Sequence, residues 1–210
     1  MIVYGYFRSS ASYRLRIALN LKGLAPEMRF VHLLKGEQHN PAYREVNPQG
    51  FVPYFIDGDF HLSQSMAIIE YLDETHAEPP LLPKAPKDRA LVRQIAQIVA
   101  CDIHPLNNTR ILTYLSQDLK VTDQQKTEWY CRWIHDGFKV IEGLLEARKD
   151  RFCVGDSPTL ADICLIPQVA NAARFQCSMD PFPLISAVNQ RALELPAFAA
   201  AHPLQQPDAE

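Results

Sequence analysis

With 210 residues, 47% of them hydrophobic, the chain has enough apolar material to bury one large core or two small ones. A formal net charge of -3 gives no broad basic field, which argues against nucleic acid as a partner, and no apolar run reaches the length of a membrane span. The five cysteines show neither a Cys-x-x-Cys pair nor a metal-like grouping, so they read as reduced thiols; with no cleavable signal pattern at the start, a cytoplasmic location is expected.

The first strand is expected over residues 2–6 and the first helix over 12–23, where Leu15, Ala18 and Leu21 recur at helical spacing and Gly23 stands as a left-handed cap. Between them, Arg8-Ser9-Ser10-Ala11-Ser12 gathers hydroxyls at the helix start. Unpaired N–H groups and the positive end of the dipole favour an anion there, a thiolate among the candidates, and a serine hydroxyl adds a directed hydrogen bond. Ordinary N-capping is the simpler role for such serines. Arg8 points beyond it, because a cation at this end opposes the dipole and so reads as serving a bound anion.

A strand over 28–33, a short helix over 41–46 and a strand over 53–56 follow. Asp57-Gly58, between Phe55-Ile56 and Phe60-His61-Leu62, marks a tight hairpin. An alternating α/β unit that ends in such a hairpin is thioredoxin-like. Ser63-Gln64-Ser65 opens a helix carrying Met66, Ile68, Ile69 and Leu72, which makes a second helix start receptive to an anion.

Four prolines in residues 78–86 mark a linker, since proline continues neither a helix interior nor a central strand. Beyond it the periodicity is helical, over 88–115, 122–147, 159–173 and 184–193. The expected organisation is therefore an α/β domain over 1–83 and an all-α domain over 88–210. In the first of these helices His104 and Asn108 are spaced to face one way, while Pro105 must kink or open the helix locally. Thr159-Leu160-Ala161-Asp162 has the form of a capping box, and Arg174 falls where a helix C-terminus favours a cation. Residues 205–210 are expected to be loose.

Arg-Ser-Ser-x-Ser-aromatic-Arg-x-Arg-Ile-Ala-Leu over residues 8–19 resembles the signature of the zeta class of glutathione transferases. Asn47-Pro48-Gln49-Gly50-Phe51-Val52-Pro53, Gln64-Ser65, the stretches over 154–162 and 167–175, and Gln206-Pro207-Asp208 extend the resemblance over nearly the whole chain. It implies the glutathione transferase fold, a homodimer, glutathione as cofactor and no metal. Whether Val52-Pro53 is cis is left open by the sequence. The class commonly has cysteine and tryptophan where this chain has Ala11 and Tyr13, which removes a neighbouring thiol and leaves the isomerase chemistry intact.

Carried over residue by residue, the resemblance assigns catalysis to Ser9, Ser10 and Arg8, with Ser9 stabilising the thiolate. Glutathione would be held by Ser9, Ser10, Gln38, Gln49, Val52, Pro53, Gln64, Ser65, Asp102, His104, Asn108 and Arg110. A small diacid would meet Arg8, Arg110 and Arg174, whose planar guanidinium groups suit bidentate carboxylate binding. The implied reaction is cis–trans isomerisation of a maleyl diacid, with maleylacetoacetate in aromatic amino-acid breakdown placed ahead of maleylpyruvate in gentisate breakdown. Two other readings compete. A broader transferase or haloacid dehalogenase needs an apolar acceptor site, against which the three arginines argue. A non-catalytic dimerising module has no use for Ser9, Gln64 and Ser65 together.

Overall fold

In the first strand, β1 (Ile2–Gly5), buried Val3 and Gly5 alternate with half-buried neighbours, the period of two that a pleated strand imposes. The computed structural model, which describes residues 1–210, pairs β1 in parallel with β2 (Glu27–Phe30) and antiparallel with β3 (Tyr54–Asp57). Strand β4 (Phe60–Ser63) closes the sheet in the order β2-β1-β3-β4. Asp57 faces Phe60 across Gly58-Asp59, so the hairpin forms with Gly58 supplying the positive φ of 63° that its tight turn requires.

Parallel pairing of β1 with β2 needs a crossover, and helix α1 (Ser10–Leu21) provides it. It buries Leu15, Ile17 and Ala18 and ends as the sequence suggests. Gly23, at φ 65°, donates to the Asn20 carbonyl at 3.1 Å, and Leu24 N–H reaches the Leu19 carbonyl at 2.9 Å. The short α2 (Pro41–Val46) starts on proline, and α3 (Ser65–Thr75) turns Ile68, Ile69 and Leu72 inward. Sheet and helices together make the expected thioredoxin-like unit.

That unit comprises Met1–Leu81 and also Glu194–Glu210, so the helical domain expected over 88–210 gives up its C-terminal end. Two side chains on α1 explain the difference. Arg16 Nε donates to the Ala201 carbonyl at 3.0 Å and Asn20 Nδ2 to the Ala197 carbonyl at 2.9 Å, which fastens helix α9 (Pro196–Ala201) to the first unit. Residues 205–210, expected to be loose, are docked as well: Asp208 accepts from Phe7 N–H at 2.9 Å, and Ala209 lies against Tyr6, Phe7, Val31, Tyr43 and Val52.

The second unit, Leu82–Leu193, is all helical, with α4 (Pro86–Gln97), α5 (Thr109–Gln117), α6 (Asp123–Arg148), α7 (Leu160–Arg174) and α8 (Pro183–Leu193). Its core gathers Ile95, Val99, Ile134, Phe138, Ile141, Ile163 and Ile166. Gly137 lets α6 pack closely, because a Cβ there would lie 2.4 Å from the Ile103 side chain and force it to shift. The capping box forms at the start of α7, where the buried Asp162 carboxylate accepts from Thr159 N–H at 2.8 Å and also from Cys153 N–H at 2.9 Å. Cys131 and Cys177, 46 residues apart, form a disulfide, which corrects the expectation of five reduced thiols; Cys101, Cys153 and Cys164 remain thiols. No helix is long and apolar enough to cross a membrane.

Candidate active site

Ser9 is the N-cap of α1. With an extended backbone at φ -70° and ψ 115°, it turns its Oγ to accept from Ser12 N–H at 3.2 Å. The capping role is therefore real, and it uses a lone pair, leaving the hydroxyl hydrogen to donate. No acidic side chain occupies the first turn, so nothing from the helix itself offsets the positive end of the dipole. Ser9 is half-buried whereas Ser10 and Ser12 are buried, which makes Ser9 the hydroxyl this helix start presents. Arg8 is exposed, its guanidinium 5.0 Å from the centre of the Phe7 ring.

The loop that leads into β3 is held from inside. Asn47 is buried and donates to the Phe51 carbonyl at 2.8 Å, and the Tyr43 hydroxyl donates to the same oxygen at 2.6 Å. At Gly50 the chain needs φ 64°, and a Cβ would meet the Gln38 carbonyl at 2.8 Å, so only glycine lets these segments close on one another. The bond between Val52 and Pro53 is cis, which answers the question the sequence left open.

Helix α3 is preceded by Gln64, a non-glycine residue at φ 74°, and has no side-chain cap and no acidic group in its first turn. A strained backbone at an uncapped helix start is the arrangement that a bound anion can repay. Gln64 Nε2 donates to Gln49 Oε1 at 3.3 Å, so two predicted cofactor contacts 15 residues apart are brought together. Ser65 is buried, and its Oγ accepts from Arg14 at 3.5 Å. Arg14 was not among the expected site residues. At 1% exposure on α1 it reads from sequence as one charge on a helix face, whereas the structure sets a buried cation beside the α3 start.

In the second unit the helix expected over 88–115 is interrupted. After α4 a π-helical turn over Ile98–Ile103 and a 3₁₀ turn over His104–Asn107 lead to Asn108, whose extended backbone starts α5 afresh. Pro105 opens the helix as anticipated, but His104 and Asn108 no longer share a continuous helical face. Asn108 instead caps α5, accepting from Arg110 N–H at 3.2 Å. Asp102 and Arg110 are exposed and His104 half-buried.

Arg174, exposed in the last turn of α7, stands 4.9 Å from the centre of the Phe175 ring. Phe175 stacks on Tyr130 at 3.6 Å, and the Tyr130 carbonyl accepts from buried Asn107 at 3.0 Å. This chain of contacts ties the Arg174 end of α7 to the turn that begins at His104 and leads into Asn108. Burial raises the Tyr130 phenol above its ordinary pKa, with Arg174 pulling it back down. No group of three or more His, Cys, Asp or Glu side chains is placed to hold a metal ion.

A thioredoxin-like unit with two anion-receptive helix starts, followed by an all-α unit, defines the glutathione transferase architecture. The glutathione S-transferase N-terminal domain matches residues 1–74 and the glutathione S-transferase C-terminal domain residues 111–196. The chain is 48% identical to a probable maleylacetoacetate isomerase of Vibrio cholerae serotype O1, over 100% of its own length and 98% of that protein's. A holo structure of maleyl pyruvate isomerase, described as a bacterial zeta-class glutathione S-transferase, superposes with a TM-score of 0.98 at 46% identity, with both chains fully covered. A maleylacetoacetate isomerase of Anaeromyxobacter dehalogenans 2CP-1, solved with dicarboxyethyl glutathione and citrate in its active site, gives 0.89 at 39% identity, covering 100% of this chain and 93% of that one. The chain belongs to the zeta class of the glutathione transferase family. As a member it is an enzyme, and glutathione is its cofactor.

Proposed function

We propose that the chain catalyses glutathione-dependent cis–trans isomerisation of a maleyl diacid, with maleylacetoacetate the leading substrate and maleylpyruvate the alternative. The glutathione thiolate adds to one carbon of the conjugated double bond, and the electron pair moves into the adjoining carbonyl. The former double bond is now single and rotates. Elimination returns the electrons, restores a trans alkene and releases the same thiolate, so nothing is consumed.

Ser9 donates its hydroxyl hydrogen to the thiolate at the positive end of α1. Lowering a thiol from a pKa of about 8.5 by roughly two pH units corresponds to about 2.7 kcal/mol of stabilisation, within reach of one charge-assisted hydrogen bond and a helix terminus together. Gln64, Ser65 and the open α3 start hold the γ-glutamyl carboxylate, while the backbone of Val52 before Pro53 pairs with the cysteinyl residue. Ser10, Gln38, Gln49, Asp102, His104, Asn108 and Arg110 complete the cofactor set. Arg8, Arg110 and Arg174 take the carboxylates of the diacid, so that its ends stay fixed while its centre turns.

The observation that carries this reading is the pair of helix starts in the first unit, α1 capped by a serine with a hydrogen to give and α3 left uncapped. A relative with a glutathione derivative bearing two carboxyl groups in its active site supports the diacid. A homodimer and a cytoplasmic location complete the proposal, both on the strength of the class. The test is to assay the purified protein on maleylacetoacetate and maleylpyruvate side by side, with and without glutathione. Glutathione-dependent turnover is expected for both, with the larger kcat/KM identifying the physiological diacid; no such turnover of either would overturn the proposal.

A further inference from the structure

The two residues before Arg8 and Ser9 carry four backbone polar groups, and each has a partner outside any strand ladder. Tyr6 N–H donates to Ser12 Oγ at 3.4 Å. The Tyr6 carbonyl accepts from Ser9 N–H at 3.0 Å and from Arg16 at 3.4 Å, and the Phe7 carbonyl accepts from Arg16 at 3.1 Å. The fourth group, Phe7 N–H, finds its partner 201 residues away, in Asp208 Oδ2 at 2.9 Å. Phe7 is 1% exposed, so water offers no ready substitute for that acceptor.

The tail that delivers Asp208 is itself fastened on both sides. Before it, Gln206 Nε2 donates to the Ala200 and His202 carbonyls at 2.9 and 3.0 Å. After it, Ala209 packs against the cluster formed by Tyr6, Phe7, Val31, Tyr43 and Val52, and the Glu210 carboxylate meets Lys35 at 3.1 Å and His32 at 3.2 Å. Arg16 is buried, which lowers its pKa to about 10, and the Asp208 charge opposes that shift. One carboxylate thus satisfies the loop's buried donor and steadies the cation that grips the loop's carbonyls.

We propose that Asp208 is a positioning residue for the reaction: by anchoring Phe7 it fixes where the Ser9 hydroxyl meets the glutathione thiolate. The inference rests on the thiolate role of Ser9 proposed above. A hydrogen-bond donor stabilises a developing or resting charge only when it is already aimed, and Ser9 is two residues from the tethered amide.

The experiment titrates the thiol of bound glutathione by its ultraviolet absorbance in the full-length protein, alongside kcat against pH, for Asp208→Ala, Asp208→Asn and Ser9→Ala. Asp208→Ala should raise the bound thiol pKa by about half to one pH unit and lower kcat near neutral pH about two- to fivefold, with glutathione affinity changed less than about twofold. The lost rate should return at alkaline pH, where the thiolate forms without help, a recovery that mere destabilisation does not produce. Asp208→Asn keeps an acceptor oxygen for Phe7 and should retain most of the native value. Should Asp208→Ala fail to fold, Asp208→Glu, which keeps the charge but displaces the acceptor by one methylene, carries the same expectation. A folded Asp208→Ala or Asp208→Glu protein with an unchanged thiol pKa, while Ser9→Ala raises it, overturns the tail's role and leaves the Ser9 reading standing. An unchanged pKa in Ser9→Ala overturns that reading and this one with it.

Discussion

Ser9 caps α1 and, in the proposed reaction, also donates to the thiolate; the two roles separate energetically. Loss of an N-cap costs about 1 kcal/mol of stability, a modest fraction of what a domain of this size holds, whereas loss of the thiolate's donor affects every turnover. Ser9→Ala should therefore fold, melt only slightly lower, and show a raised thiol pKa in its glutathione complex by ultraviolet titration. An unchanged pKa with unchanged turnover would move the role to Ser10 or to the helix dipole alone. Arg174 is tested by contrast. A charge-assisted hydrogen bond contributes about 1.5 to 3 kcal/mol, so Arg174→Ala should lower kcat/KM for a maleyl diacid by roughly ten- to more than a hundredfold while glutathione affinity holds. Activity toward a neutral aromatic electrophile should change little; equal losses on both substrates would refute the diacid role. That Ser9 and Ser65 stand at helix starts and Arg174 at a helix end was legible in the sequence, because these signals are local, hydroxyls or a cation at the ends of helical patterns. The long-range partners of Arg14, Arg16 and Asp208, all three inside stretches that carried the class resemblance, were not. Two read as surface charges on an amphipathic helix and one as part of a polar tail, and only the long-range contacts with Ser65, Ala201 and Phe7 show otherwise.

Among the elements, α3 makes the sharpest case, since its first turn has neither a capping side chain nor an acidic group and follows a strained Gln64. Ser65 accepts from Arg14, and in the proposed complex its hydroxyl hydrogen donates to the γ-glutamyl carboxylate. Calorimetry on Ser65→Ala should show glutathione binding weaker by about 1 to 3 kcal/mol; unchanged affinity would refute the placement of the γ-glutamyl group. The hairpin, the left-handed Gly23 and the Thr159–Asp162 capping box were all legible, each being set by neighbours in sequence. The run over 88–115 was not. Its apolar spacing continues through a π-helical turn and a 3₁₀ turn, neither of which alters composition, and only Pro105 hinted that His104 and Asn108 would part. The Cys131–Cys177 disulfide escaped for a related reason, because it depends on how α6 meets the end of α7 and not on any spacing between the two residues.

At the scale of the whole molecule, both domains were visible in the switch from mixed to purely helical periodicity, with the proline-rich stretch between them. The return of Glu194–Glu210 to the first unit was hidden, because a chain's last residues carry no sign of what they dock against. Class membership also yields an expectation about assembly. Sedimentation at micromolar concentration should give about twice the 23.8 kDa chain mass, and a monomer there would overturn the homodimer. The central claim is that glutathione acts as a recycled nucleophile on a maleyl diacid. It is tested most directly by following isomerisation with glutathione supplied far below the diacid concentration. Complete conversion to the trans diacid, many turnovers per glutathione and all of the free thiol recovered at the end is the predicted result. Product formation that stops when the thiol has been stoichiometrically consumed, or that proceeds equally well without glutathione, would contradict it.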